Sequence, residues 1–202
     1  MLSNSKGQPS LARTVKSQAT ILGGTVASFW ALEIFDQFLP RSLSLDNWGI
    51  HPRDVHDLLN IFFAPFLHVG FAHLIANTVP FVVLGWLIMV RSVRDFFLVS
   101  LIGIIVSGLG VWLFGDPNSV TVGASGVIFS YLGFLLLRGY FDRSWQSIAI
   151  ALVVGFFFGG ALWGMLPVQT GITMISWQAH LFGFIGGVLA AWLLTSRRRT
   201  AY

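Results

Sequence analysis

The sequence predicts an all-α, polytopic membrane protein with six transmembrane helices, and three observations carry that prediction. Hydrophobic residues make up 55% of the 202 residues and charged ones only 10%, whereas a soluble domain carries about a quarter charged. The apolar residues fall in runs long enough to cross a bilayer, which takes ~20 helical residues. Lys and Arg gather in short clusters beside those runs, a pattern that sets topology, so the net charge of +4 does not point to nucleic acid. Six spans leave room for one membrane domain and no sizeable soluble one. Cysteine is absent, which excludes disulfides and thiolate metal sites.

Residues 1–18 are polar, carry Lys6, Arg13 and Lys16, and read as a cytoplasmic N-terminal segment. The membrane domain is expected over residues 19–195, with a basic cytoplasmic tail at 196–202. Its first span, about Ala19 to Leu39, is too long for a cleaved signal peptide. Glu33 and Asp36 fall near its far end, where carboxylates are expected to reach water. Residues 40–67 alternate polar turn residues with bulky apolar ones, as a loop lying in the membrane interface would. His51, Asp54, His56 and Asp57 read as the wet face of that loop rather than as metal ligands.

The second span, about His73 to Val90, places His73 and Asn77 four residues apart on one helix face. The third, about Phe96 to Phe114, is rich in small residues: Gly103, Ser107, Gly108 and Gly110. Gly123-Ala124-Ser125-Gly126 opens a short fourth helix to about Leu137, with Arg138, Asp142 and Arg143 at its end. A fifth span follows from about Gln146 to Leu166, and a sixth from about Ser176 to Leu194. Ten of the twelve Lys and Arg residues then fall on one side, and only Arg41 and Arg53 fall opposite. By the positive-inside rule both termini are cytoplasmic. His73, Ser125 and His180 thus enter the bilayer from the external face.

Ser125 sits between small residues, where the backbone can bend and another helix can approach closely. Alone that signal is weak, and it is not the hydrolase elbow, because Gly126 follows the serine directly. Ala179, Gly183, Gly187 and Ala191 form a smooth stripe on the sixth helix, and His180 borders it about 100° away from Ala179. If that stripe packs on the Gly126 side of the fourth helix, imidazole and hydroxyl can meet. Ionisable groups are expensive in lipid and mark function. A serine needs a base to become a useful nucleophile, and histidine is the usual one. No carboxylate lies within spans two to six, so the chemistry expected is a Ser–His dyad. His73 and Asn77 remain as hydrogen-bond donors suited to an oxyanion hole. Zinc chemistry has no H-E-x-x-H motif to use. A small transporter would show inverted halves or polar groups at all depths, and neither is evident.

Three separated motifs, His68-x4-His73-x3-Asn77, Gly123-Ala124-Ser125-Gly126 and Ala179-His180-x2-Gly183-x3-Gly187, give the chain a resemblance to the rhomboid intramembrane serine proteases over about residues 19–195. The resemblance implies a bacterial six-helix core in the plasma membrane, cleaving transmembrane segments of protein substrates near the external face. It implies Ser125 as nucleophile and His180 as base. His73, Asn77 and the Ser125 N–H would hold the oxyanion, with His68, Gly123, Gly126, Phe129, Gly183 and Gly187 in support. Partners would be membrane substrates and lipids, without nucleic acid, cofactor or metal. Span five and the 167–177 loop correspond to the family's lateral gate and cap. The chain departs from the family pattern twice: Leu59-Asn60 stands where many members have Trp-Arg, and Phe129 where a tyrosine is common. The alternative is a catalytically inactive rhomboid-like protein that binds or escorts membrane helices.

Overall fold

The computed structural model describes residues 10–167 and 176–199, the side chains of the last four excepted. These residues form six α-helices: α1 Leu11–Asp36, α2 Gly70–Arg91, α3 Val93–Phe114, α4 Ser125–Asp142, α5 Trp145–Phe158 and α6 Trp177–Arg199. A 3-10 stretch, Gly159–Met165, continues α5, and four further 3-10 turns shape the loop between α1 and α2. Gly70–Arg91, Val93–Phe114, Trp145–Met165 and Trp177–Thr195 are long and apolar enough to cross a membrane. The chain is an integral, multi-pass membrane protein.

Burial identifies the organising helix. Of the 18 residues of α4, twelve are buried, and it packs against α6 most extensively, then α5, α3 and α2. By contrast α5 buries only Ser147 and Val154 among its 14 residues. Close approach of α4 and α6 depends on glycine. A Cβ at Gly183 would lie 2.1 Å from the Gly126 carbonyl oxygen, and one at Gly187 would lie 2.0 Å from that of Ser130. Any side chain there would force the two backbones apart, as the small-residue stripe predicts.

Local chemistry moves several boundaries from their expected places. α1 starts at Leu11, ahead of the expected Ala19, because Ser10 caps it by accepting from the Arg13 N–H at 3.4 Å and no helix breaker follows. Gln18 is consequently part of the packing: it is buried and its amide donates to the Met89 carbonyl at 2.9 Å. α1 also ends at Asp36 rather than Leu39. α4 runs past Leu137 to Asp142, since Arg138 and Asp142 pair one turn apart at 2.9 Å. Residues 168–175 of the expected cap loop, residues 1–9 of the N-terminal segment and residues 200–202 of the tail lie outside the described residues.

Glu33 differs from expectation in kind. Instead of reaching water it is 2% exposed, and its Oε1 accepts from Gln37 at 2.6 Å. Asp36 accepts from the Ser44 hydroxyl at 2.9 Å and also from the Leu45 N–H. Asp36 thereby holds the start of the first loop against α1, while the Glu33 bond closes the end of the helix itself. Asp46 in that loop is pushed up to about 6 by burial first, then by the charges of Asp36 and Glu33. The expected wet face of the loop is partly tied down, with His51 Nδ1 2.9 Å from an Asp57 oxygen and both side chains about one-third exposed.

Candidate active site

Two loops meet at the N-terminal end of α4. The α1–α2 loop forms an antiparallel bridge with the segment before Ser125: the Ile50 N–H donates to the Thr121 carbonyl at 2.9 Å, and the Thr121 N–H returns the bond at 3.1 Å. The Gly123 N–H donates to the Ala64 carbonyl at 2.8 Å. Arg53, in the left-handed region at φ 65, fixes the other end of that segment. Its backbone N–H donates to the Trp112 carbonyl at 2.9 Å, and its guanidinium donates to the carbonyls of Leu113 at 3.3 Å and Gly115 at 3.0 Å. These are carbonyls at the C-terminal end of α3, which lack helical partners and carry partial negative charge. Asn60, standing where many rhomboid proteases have arginine, donates instead to the Gly49 carbonyl at 3.0 Å within the loop. Arg53 thus supplies an anchor that the motif comparison did not reveal.

Ser125 is the first residue of α4 and is half-buried. At this position its N–H precedes the helical hydrogen-bond ladder and adds to the positive end of the helix dipole, which suits a developing negative charge. Gly123, two residues earlier, has φ +112. A Cβ there would fall 2.6 Å from His73 Cε1, 2.8 Å from His73 Nε2 and 3.5 Å from Asn77 Nδ2. The fold therefore brings His73 and Asn77 against the backbone that leads into Ser125, and glycine is needed there both for its φ and for the space. Asn77 also donates to the His73 carbonyl at 3.2 Å, which orients its amide. His68 is 1% exposed and lies edge-on to His73, with 5.3 Å between ring centroids.

His180 lies in the first turn of α6, beside the α4 contact. Gly126 packs on α6 so closely that a Cβ would sit 3.4 Å from the carbonyl oxygen of Ala179, the residue before His180. Phe129 lies flat on the imidazole, with centroids 4.1 Å apart and planes 9° apart. The hydroxyl that a tyrosine would add is not needed for this stack. Nδ1 of His180 lies 3.0 Å from the Gly164 carbonyl oxygen. Since a carbonyl can only accept, Nδ1 carries the proton and Nε2 keeps its lone pair. Among the described residues no hydrogen bond joins Ser125 Oγ to His180; such bonds commonly tighten only when substrate binds.

Of the expected site residues, Ser125, His180, His73, Asn77, Gly123, Gly126, Phe129 and Gly183 gather at one end of the bundle, with His68 behind them and Gly187 one turn farther along α6. Sequence reasoning missed Gly164, whose contribution is a backbone carbonyl. Three glycines within Gly159–Gly164, in an otherwise bulky apolar run, were the available signal.

The molecule is thus a multi-pass helical membrane protein with a histidine- and serine-bearing cluster at one end of a central helix. The rhomboid domain matches residues 55–197, and the chain belongs to the rhomboid family. It is 40% identical over 199 residues to an uncharacterized protein of Mycobacterium tuberculosis H37Rv, covering 94% of this chain and 82% of the relative. It is 41% identical over 186 residues to an uncharacterized protein of Mycobacterium leprae, covering 88% and 73%. A Bacillus subtilis protein named "Putative rhomboid protease YdcA" is 30% identical over 141 residues, 67% of each chain.

Proposed function

We propose that this chain is an intramembrane serine endopeptidase that cuts transmembrane segments of other membrane proteins by a Ser125–His180 dyad. The observation that carries the reading is the convergence of three distant motifs: His73 and Asn77 fill the space that a side chain at Gly123 would need, while Phe129, one turn after Ser125, stacks on His180. In the reaction His180 Nε2 takes the Ser125 proton as Oγ attacks the scissile carbonyl. The oxyanion is held by the Ser125 N–H, Asn77 and His73. The proton then passes from Nε2 to the leaving amine, and water releases the acyl group by the same route.

The arrangement supports six spans, with α1 and the central α4 added to the four long apolar stretches, and both termini on the cytoplasmic side. Ten of twelve basic residues favour that orientation. The site then opens near the external face, where a substrate helix must unwind before its backbone can be reached. Single cysteines at Ser119 and Ser144 test orientation: impermeant maleimide added to intact cells should label the first and spare the second.

The function itself is tested with purified protein in liposomes and a model substrate whose transmembrane segment carries Gly or Pro near its external end. Cleavage by the wild type, absent with Ser125→Ala and slowed when those helix breakers become leucine, is the expected result. A folded wild type that binds such segments without cutting them would favour the helix-binding alternative.

A further inference from the structure

His180 is held in two ways that do different work. Phe129 stacks on one face of the ring, which limits tilt but leaves rotation within the ring plane free and says nothing about which nitrogen bears the proton. Among the described residues, the contact of Nδ1 with the Gly164 carbonyl, at 3.0 Å, is the directional one. No side-chain carboxylate takes this place, although a base of this kind is normally oriented by a third group.

The carbonyl belongs to the 3-10 stretch Gly159–Met165, none of whose residues is fully buried. The helix before it exposes Leu152, Val153, Phe156 and Phe157. A Cβ at Gly159 or Gly160 would meet nothing within 4 Å. Leu162 and Met165 are the apolar side chains of the stretch that reach the core cluster. At Gly164 the approach is tight, because a Cβ would lie 3.0 Å from His180 Nδ1 and 3.5 Å from Phe129 Cζ.

We propose that the Gly164 backbone carbonyl is the third member of the site, a positioning group that holds His180 in its Nδ1–H form with Nε2 toward Ser125, and that His180 is competent as a base only while the 159–165 stretch is docked. The inference rests on the Ser–His reading for its role in catalysis, but the contact itself does not. When Nε2 accepts the Ser125 proton, the ring becomes an imidazolium, and its Nδ1–H bond to the carbonyl becomes charge-assisted and stronger. The carbonyl neither gains nor loses a proton in any step. A weakly packed element thereby carries the orienting group that aspartate supplies in a triad.

The test replaces Met165 in the full-length protein with its α-hydroxy-acid analogue. This converts the Gly164–Met165 amide to an ester, weakens the Gly164 oxygen as an acceptor and keeps every side chain. The same change at Leu162 leaves the Gly164 amide intact and serves as control. Nitrogen-15 spectra of histidine-labelled protein report the His180 tautomer, and a fluorophosphonate probe reports the reactivity of Ser125. The expected result is a single Nδ1–H form in wild type and control. The Met165 ester should give a tautomer mixture and roughly tenfold slower labelling, about the effect of weakening one charge-assisted bond. Combined Leu162→Ala and Met165→Ala, which loosen docking without touching either partner, should slow labelling severalfold. An unchanged tautomer and rate in the ester protein would overturn the positioning role. Unchanged labelling in the Leu162/Met165 variant would overturn the dependence on docking. If the wild type never labels at Ser125 yet the ester still disturbs the tautomer, the contact stands and the Ser–His reading falls.

Discussion

The two ends of the bundle use buried polar groups differently. Away from the serine, Asp142 accepts from Arg138 at 2.9 Å, Ser147 at 3.2 Å and Thr195 at 2.9 Å, and pairs with Arg91 at 2.8 Å. Arg138 also pairs with Asp95 at 2.8 Å. This one network reaches α2, α3, α4, α5 and α6. At the serine end, among the described residues, no side chain hydrogen-bonds either ring nitrogen of the buried His68, and no hydrogen bond joins Ser125 to His180. Leaving a buried polar group unsatisfied costs about 1–3 kcal/mol. The contrast teaches that one end spends its polar groups on holding helices together. The other leaves some hydrogen-bonding capacity unspent, at some cost in stability, which suits the proposed catalytic role.

The largest expected effect breaks the serine end while sparing the fold. On the proposed mechanism Ser125→Ala removes the nucleophile and His180→Ala the base, so cleavage of a model substrate should fall to background. Thermal unfolding in detergent should stay close to wild type, because neither side chain belongs to the Asp142 network. Next comes the converse. Arg138→Ala leaves Asp95 and Asp142 facing each other's environment without their shared partner, and breaking such a buried pair costs about 3–5 kcal/mol. Its unfolding midpoint should drop sharply, while probe labelling of the fraction that remains folded should match wild type. A large loss of labelling per folded molecule would show that the two ends are not separable.

Asn77→Ala and His73→Ala should fall between. Losing one oxyanion donor costs ~100- to 1,000-fold in rate, and donors that share the charge should sit at or below that range. The double variant should be worse than either single one without being additive. Full cleavage by both single variants in folded form would remove them from the oxyanion site even with Ser125 and His180 confirmed. The smallest effect concerns the first loop. Asp46, held up to about 6, favours its neutral form in the folded protein. It therefore contributes stability that is present at low pH and lost as pH rises through about 6. Asp46→Asn should unfold at a slightly higher temperature than wild type at pH 7, and that advantage should vanish at pH 4. An advantage that persists at pH 4 would contradict the account of this loop.

Much of the serine end was legible because each of its groups is a polar residue within an apolar run. His73, Asn77, Ser125 and His180 stand out in lipid-facing sequence, and the Gly183–Gly187 spacing correctly gave the face of α6 that meets α4. What was not legible follows physical reasons. The Gly164 carbonyl has no side-chain identity, and only the fold could show it reaching His180. Glu33 was expected in water because a carboxylate near a span's end usually is; in the fold it is buried and bonded to Gln37. Arg53 looked like an exception to the charge bias, and its capping of α3 explains why an arginine stands there. α1 begins before the first apolar run because helix continues through polar residues once Ser10 caps it, whereas hydropathy marks only the apolar part.

Covalent trapping tests the central claim most directly. Purified protein is treated with a fluorophosphonate, digested, and the modified peptide is identified by mass spectrometry. The account predicts one adduct, on Ser125, that forms in the wild type, disappears with Ser125→Ala, fails to form with His180→Ala and weakens on acidification as the base becomes protonated. An adduct on another serine, or labelling of Ser125 at wild-type rate in His180→Ala, would contradict it.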